Sequence, residues 1–164
     1  MMRFRLLGPL EIRAEEGWRG IGAPKWRSVL ATLLIGAGQM VPADVLISEV
    51  WWGDTPPAKA ANLISIYVLR LRRLMDDADS GLLVTRAPGY QLRVTSFETD
   101  AALFETMVRD GRRALSGGDP QGAARQLTEA LALWYGRPFA DVPATPMVEA
   151  EAERLTELRL GAIE

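Results

Sequence analysis

The chain has 164 residues, 48% hydrophobic and 24% charged, with a formal net charge of −2, which is the make-up of a globular protein of one or two small domains. It has no cysteine and no histidine, which excludes disulfides, Cys/His zinc sites, thiol nucleophiles and every His-based triad. Charge is uneven: residues 1–95 hold 12 Lys/Arg against 9 Asp/Glu, net +3, and residues 96–164 hold 7 against 12, net −5, as expected of an N-terminal module with an anionic partner and a C-terminal module without one.

The first stretch, RFRLLGPLEIR (3–13), alternates imperfectly around Gly8-Pro9 and predicts two short strands, or one strand interrupted at the proline. Its apolar run is too short for a signal sequence. The longest apolar tract, VLATLLIGAG, falls well under the roughly 20 residues of a membrane span, so a cytoplasmic chain without a membrane partner is expected. GWRGIGAP (17–24) predicts a strand or turn leading to Pro24, a suitable first helical residue.

From Lys25 to about Ala37, Trp26, Val29, Leu30, Leu33 and Leu34 recur at helical spacing, and Gly36 and Gly38 end the helix. A second helix, ADVLISEVWW, follows the connector QMVP. The loop GDTPP precedes a third helix, which starts near Ala58 and runs to Met75, its two prolines fixing an extended approach and a sharp start. DDADSG reads as a polar turn, and LLVTRAPGYQLRV (82–94) as two strands around Ala87-Pro88-Gly89. Strands, three helices and a closing hairpin make a winged helix-turn-helix.

Past Thr95 the pattern is helical. DAALFETMVRDGRRALS has Asp100 as its expected N-cap, and Gly117-Gly118-Asp119-Pro120 both stops that helix and starts the next. QGAARQLTEALALW places Ala124, Leu127, Ala130, Leu131 and Trp134 on one side, giving an αα-hairpin of the tetratricopeptide-like kind. A third helix is expected from Thr145-Pro146 to Glu164. Its face of Val148, Leu155, Leu158 and Ala162 needs a cover, which further repeats of a longer chain, or a second copy, would supply. The fold class expected is mainly α with small β: a winged helix over residues 1–95, then the start of a helical domain over 96–164.

On a wheel of about 100° per residue, residues 59–76 place Ile64, Tyr67, Val68, Leu71, Leu74 and Met75 on a core face. Asn62, Ile66, Leu69 and Arg73 fall opposite, with Arg70 at the edge and Ser65 and Arg72 flanking. A face mixing aliphatic groups with Arg and Asn suits the major-groove edge of double-stranded DNA, where Arg pairs with guanine, Asn with adenine, and an apolar side chain rests on a thymine methyl. Ile66 is the candidate thymine contact and Arg70 the candidate base reader. Arg72 and Arg73 are phosphate clamps or secondary readers. Arg86, just before the hairpin tip, is placed to enter a minor groove or meet a phosphate. Lys25, Arg27 and Lys59, near helix starts, are further candidate phosphate contacts, and each equally suits plain surface charge. Trp51, Tyr90 and Trp134 are expected as core anchors.

In these same segments the chain resembles a known family. RFRLLGPLEIR, PKWRSVLATLLIGAGQMVPADVLISEVWWGDTPP, NLISIYVLRLRRLM and TRAPGYQL look like the OmpR-type winged helix of the SARP family, the antibiotic-pathway regulators of actinobacteria. TDAALFETMVRDGRRAL and ALALWYGRPFADV look like the start of the bacterial transcriptional activation domain that follows it. The resemblance implies an activator that binds direct repeats near promoters, two copies sitting head to tail, and recruits RNA polymerase through contact with a sigma factor. No catalytic constellation can be named in a chain without Cys or His, so neither an enzyme nor a cofactor is expected. The resemblance maps the recognition helix onto Ala60–Met75 and the wing arginine onto Arg86. The competing reading is an interaction module whose winged helix serves assembly; Arg70, Arg73 and Arg86 at DNA-facing positions favour the first.

Overall fold

The computed structural model describes residues 2–77, 81–95 and 98–163. Residues 78–80 of the expected DDADSG turn, residue 96 at the expected domain junction, and Glu164 at the expected end of the last helix lie outside them. Three strands open the chain, β1 (Phe4–Arg5), β2 (Glu11–Ala14) and β3 (Gly17–Gly20), in one antiparallel sheet of that order. Phe4 pairs with Ile12, and both are buried, so one face of this sheet belongs to the core. Three helices follow: α1 (Pro24–Ile35), α2 (Ala43–Val50) and α3 (Ala60–Leu74). Val29, Leu30, Leu33, Leu46, Ile64, Val68 and Leu71 form the core they share.

The connector QMVP differs from its expected role. Met40–Pro42 is a strand, β4, which pairs antiparallel with β6 (Gly89–Leu92), itself paired with β5 (Leu83–Arg86), in the order β4-β6-β5. Its partner lies far along the chain, so no local pattern announces it. Gly89 makes the approach possible: a Cβ there would lie 1.9 Å from the Val41 carbonyl oxygen.

The C-terminal module holds α4 (Asp100–Ser116), α5 (Pro120–Leu131) and α6 (Pro146–Ile163). α4 and α5 form the αα-hairpin, turned at Gly118 with φ of +84° and capped where Asp119 Oδ1 accepts from Gly122 N at 2.9 Å. α5 ends at Leu131 rather than Trp134, because residues 132–134 tighten into turns whose amides reach back to Thr128, Ala130 and Leu131. Trp134 then packs edge-on against Phe104, with ring centroids 5.3 Å apart. The face of α6 is covered within the chain: Val148, Leu155 and Ala162 are buried and Leu158 half-buried, against α1, α5 and α4. On the same helix Leu160 and Ile163 stay exposed.

The N-cap of α4 is Thr99, whose Oγ1 accepts from Ala102 N at 3.1 Å, and not Asp100. Asp100 sits one residue further on, 1% exposed, and its carboxylate reaches across the molecule. Oδ1 accepts from Leu6 N at 2.8 Å and Oδ2 from Leu7 N at 3.0 Å. Burial pushes its carboxyl up to about 6, against the pull of those amides and of Arg5.

The same β1–β2 loop is held on its other side as well. The carbonyls of Leu6, Leu7 and Gly8 accept from Phe139, Tyr135, Gly136 and Ala140, and Leu10 N donates to Asp141 Oδ1 at 2.8 Å. Tyr135 lies on Gly8, where a Cβ would come within 2.5 Å of its ring, and its hydroxyl donates to the Pro9 carbonyl. Burial, with Asp100 and Glu11 nearby, holds that phenol above its usual range. The two modules are therefore joined by backbone hydrogen bonds.

Candidate nucleic-acid interface

α3 has Ala60, Ile64, Val68 and Leu71 inward at helical spacing and turns its other side to solvent. Asn62, Ile66, Leu69, Arg70 and Arg73 are all exposed on that side. Ile66 and Leu69 are each 45% exposed and stand beside the Asn and Arg side chains of the same face. Arg73 lies in the last turn, where the helix dipole favours a cation.

The wing lies along one flank of α3, pinned by two sets of contacts. Arg72 Nε donates to the Leu83 carbonyl at 2.8 Å and Nη2 to Thr85 Oγ1 at 3.0 Å, both on β5. About two turns earlier, Ser65 Oγ and Tyr90 Oη are 3.0 Å apart, joining α3 to β6. Two of the donors of Arg72 are thus engaged within the chain, where they hold the wing in place. On the other flank, Tyr67 meets the ring of Trp51 at 6.3 Å, which fixes α3 against the end of α2.

The remaining candidates divide. Arg86 is exposed at the end of β5, next to Gly89 across the hairpin, and its Nε donates to Gln91 Oε1 at 3.2 Å. Because Leu83 and Thr85 turn toward α3, Arg86 leaves the hairpin by the opposite face. Lys59 is exposed at the N-cap position of α3, and Lys25 is exposed with Nζ 5.9 Å from the centre of the Trp51 ring. Arg27 Nη1 donates to the Ile21 carbonyl at 2.6 Å and Nε lies 3.9 Å from Asp141, so it ties α1 to the C-terminal module. Trp51 and Trp134 are buried as expected, Tyr90 is half-buried, and Trp52 is 56% exposed beside α2. The Ser65–Tyr90 link escaped the sequence reading, because a serine at a helix flank carries no sign of its partner.

Among the described residues no group of three His, Cys, Asp or Glu could hold a metal ion, and no helix is long and apolar enough to cross a membrane.

A three-helix core with an exposed basic-aliphatic third helix and a pinned β-hairpin, joined to a helical module, defines the class of winged-helix transcriptional regulators. Residues 21–92 match the family described as transcriptional regulatory protein, C terminal, and residues 99–164 match the bacterial transcriptional activator domain. With these two domains in this order, the chain belongs to the SARP family of regulators. It is 36% identical over 160 residues to the transcriptional regulatory protein MoaR1 of Mycobacterium tuberculosis, covering 95% of this chain and 51% of that protein. It is 34% identical over 171 residues to the regulatory protein DnrI of Streptomyces peucetius, covering 99% of this chain and 62% of that one. The structure of Mycobacterium tuberculosis EmbR in complex with a low affinity phosphopeptide matches with a TM-score of 0.90 at 33% identity, over 98% of this chain and 43% of the EmbR chain. The chain therefore spans 51% of MoaR1, 62% of DnrI and 43% of the EmbR chain, in each case less than two thirds.

Proposed function

We propose that this protein is a sequence-specific DNA-binding activator of transcription, which places α3 in the major groove and the wing beside it. One observation carries the reading: Ile66 and Leu69 stand exposed between Asn62, Arg70 and Arg73, on a helix whose flank is locked to a β-hairpin. Apolar groups beside fork-shaped donors fit thymine methyls and guanine edges, and lone solvent-facing aliphatics have no comparable use. Arg70 reads a base, Arg73 and Lys59 meet phosphates, and Arg86 enters the minor groove or meets its phosphates. The winged-helix module spans residues 1–95 and the activating module residues 96–164.

One such module has too small an interface for a regulator's affinity, so two copies bind direct repeats head to tail on successive turns, about 10–11 bp apart. The acidic C-terminal module then recruits RNA polymerase through a sigma factor, at genes of antibiotic or other secondary-metabolite synthesis. The test is selection of bound duplexes from a random pool, followed by footprinting. The expected product is a tandem repeat, and insertion of about 5 bp between its halves abolishes cooperativity while each half-site keeps its weak affinity. A twofold dimer stable without DNA, together with a palindromic footprint, would overturn the arrangement.

A further inference from the structure

The basic surface of α3 does not end at the helix. At its C-terminal end an open groove of about 500 Å³ runs between α3 and the first sheet. Arg3, Arg13, Arg19 and Arg73 line it against Glu15 and Asp76. Arg3 is taken by Glu98 at 2.8 Å, while Arg13, Arg19 and Arg73 form no ion pair among the described residues.

The strand register shows why Arg19 is there. Side chains directly opposite each other on paired strands share a face. Arg13 pairs with Trp18, and both leave by the outer face, where the Arg13 guanidinium stands 5.6 Å from the Trp18 ring and that of Arg5 5.2 Å from it. Arg19 pairs with Ile12, which is buried. Arg19 therefore leaves by the inner face of β3, the strand at the edge of the sheet, and overhangs the groove on the side of Arg73, which itself stands on the exposed face of α3.

We infer that this groove is a phosphate seat: Arg19, with Arg73, takes a backbone phosphate of the strand that borders the major groove beyond the C-terminal end of α3. The inference rests on the DNA reading of α3 and extends the contact surface to the N-terminal sheet. Its occupant is a phosphodiester, because Arg19 and Arg73 bring unpaired guanidinium forks to the groove, and phosphate recognition asks for charge and forked donors without sequence. The rival use of Arg19 is protective, since an inward-pointing charge on an edge strand blocks pairing with another sheet.

The two uses separate in one experiment, which needs no operator sequence. Binding of the whole chain to a mixed-sequence duplex of about 30 bp is followed by fluorescence anisotropy across a range of KCl concentrations. Each phosphate contact contributes about 0.9 to the slope of log Kobs against log salt. Arg19→Ala should lower the slope by about 0.9, Arg19→Lys should keep it, and the preference for the selected site over mixed sequence should stay unchanged in both. A wild-type slope in Arg19→Ala, with the variant aggregating as concentration rises, assigns Arg19 to edge protection and overturns the seat while leaving the reading of α3 intact. Failure of the wild-type chain to bind any duplex removes both together.

Discussion

Asp100→Asn replaces a buried carboxylate by an amide of the same shape and separates two effects that act in opposite directions. The carboxylate offers one oxygen to each of two buried amides, Leu6 N at 2.8 Å and Leu7 N at 3.0 Å. Asparagine has a single oxygen, so one amide faces an NH2 group and loses its acceptor, at about 1–3 kcal/mol. That loss is the same at every pH. The charge behaves differently. Burial raises the carboxyl from the ordinary 3.8 to about 6, so between those values the folded chain binds more protons than the unfolded one. The stability this group contributes is fully present below 3.8 and is lost as pH rises through 6. At about 1.4 kcal/mol per pH unit over that window, the loss comes to about 3 kcal/mol. Urea unfolding followed by tryptophan fluorescence from pH 4 to 7 gives the stability of each form, and the contribution of every other titrating group cancels in the difference. Wild type should lead Asp100→Asn at pH 4, and its lead should shrink by about 2.4 kcal/mol by pH 7, the rest of the loss falling below pH 4. A lead that is constant, or that grows with pH, would mean that the amides of Leu6 and Leu7 outweigh the desolvation of the carboxylate, and the account of this seam would be wrong.

Three further outcomes are expected. Arg70→Ala should weaken binding to a selected site by about 1–3 kcal/mol while mixed-sequence affinity falls far less, as mobility shifts on both duplexes will show; equal losses would make Arg70 a phosphate contact. Arg86→Ala should lower the salt slope by about 0.9 if the wing arginine is an ionic contact, whereas an unchanged slope with a lost preference for A·T would place it in the minor groove. Gly89→Ala drives a Cβ into the Val41 carbonyl, so it should cost about 1–3 kcal/mol or more in thermal or urea unfolding and raise amide exchange throughout β4 and β6; a wild-type melting profile would refute the packing described for that pair.

The order of elements was legible because each one repeats a period of its own. In α3, Ile64, Val68, Leu71 and Met75 mark the core stripe, and Asn62, Ile66, Leu69, Arg70 and Arg73 emerge on the other side as expected. What local pattern could not hold is the choice of partner. An Asp at the start of a helix reads as a cap, yet Thr99 caps α4 and Asp100 turns to amides 94 and 93 residues earlier. Arg72 and Arg27 look no different in the sequence from Arg70 and Arg73, and only the nearness of the Leu83 and Ile21 carbonyls turns them to structural use. β4 is three residues long and exists because Tyr90 lies opposite Val41, a pairing across 49 positions that leaves no mark on the residues between. Face and period are local properties, whereas hydrogen-bond destinations depend on the assembled chain.

The grip of the C-terminal module on the β1–β2 loop also sets a timetable for the ribosome. Leu6, Leu7 and Leu10 are made well before their partners, and Leu10 meets its acceptor 131 positions later, on Asp141. At roughly 5–20 residues per second, that interval is about 7–26 s of synthesis. Until then the Leu10 amide lacks the acceptor it has in the folded chain. The β1–β2 loop thus reaches its final state only once residues far along the chain have been made, and the winged helix is completed by the helical module that follows it.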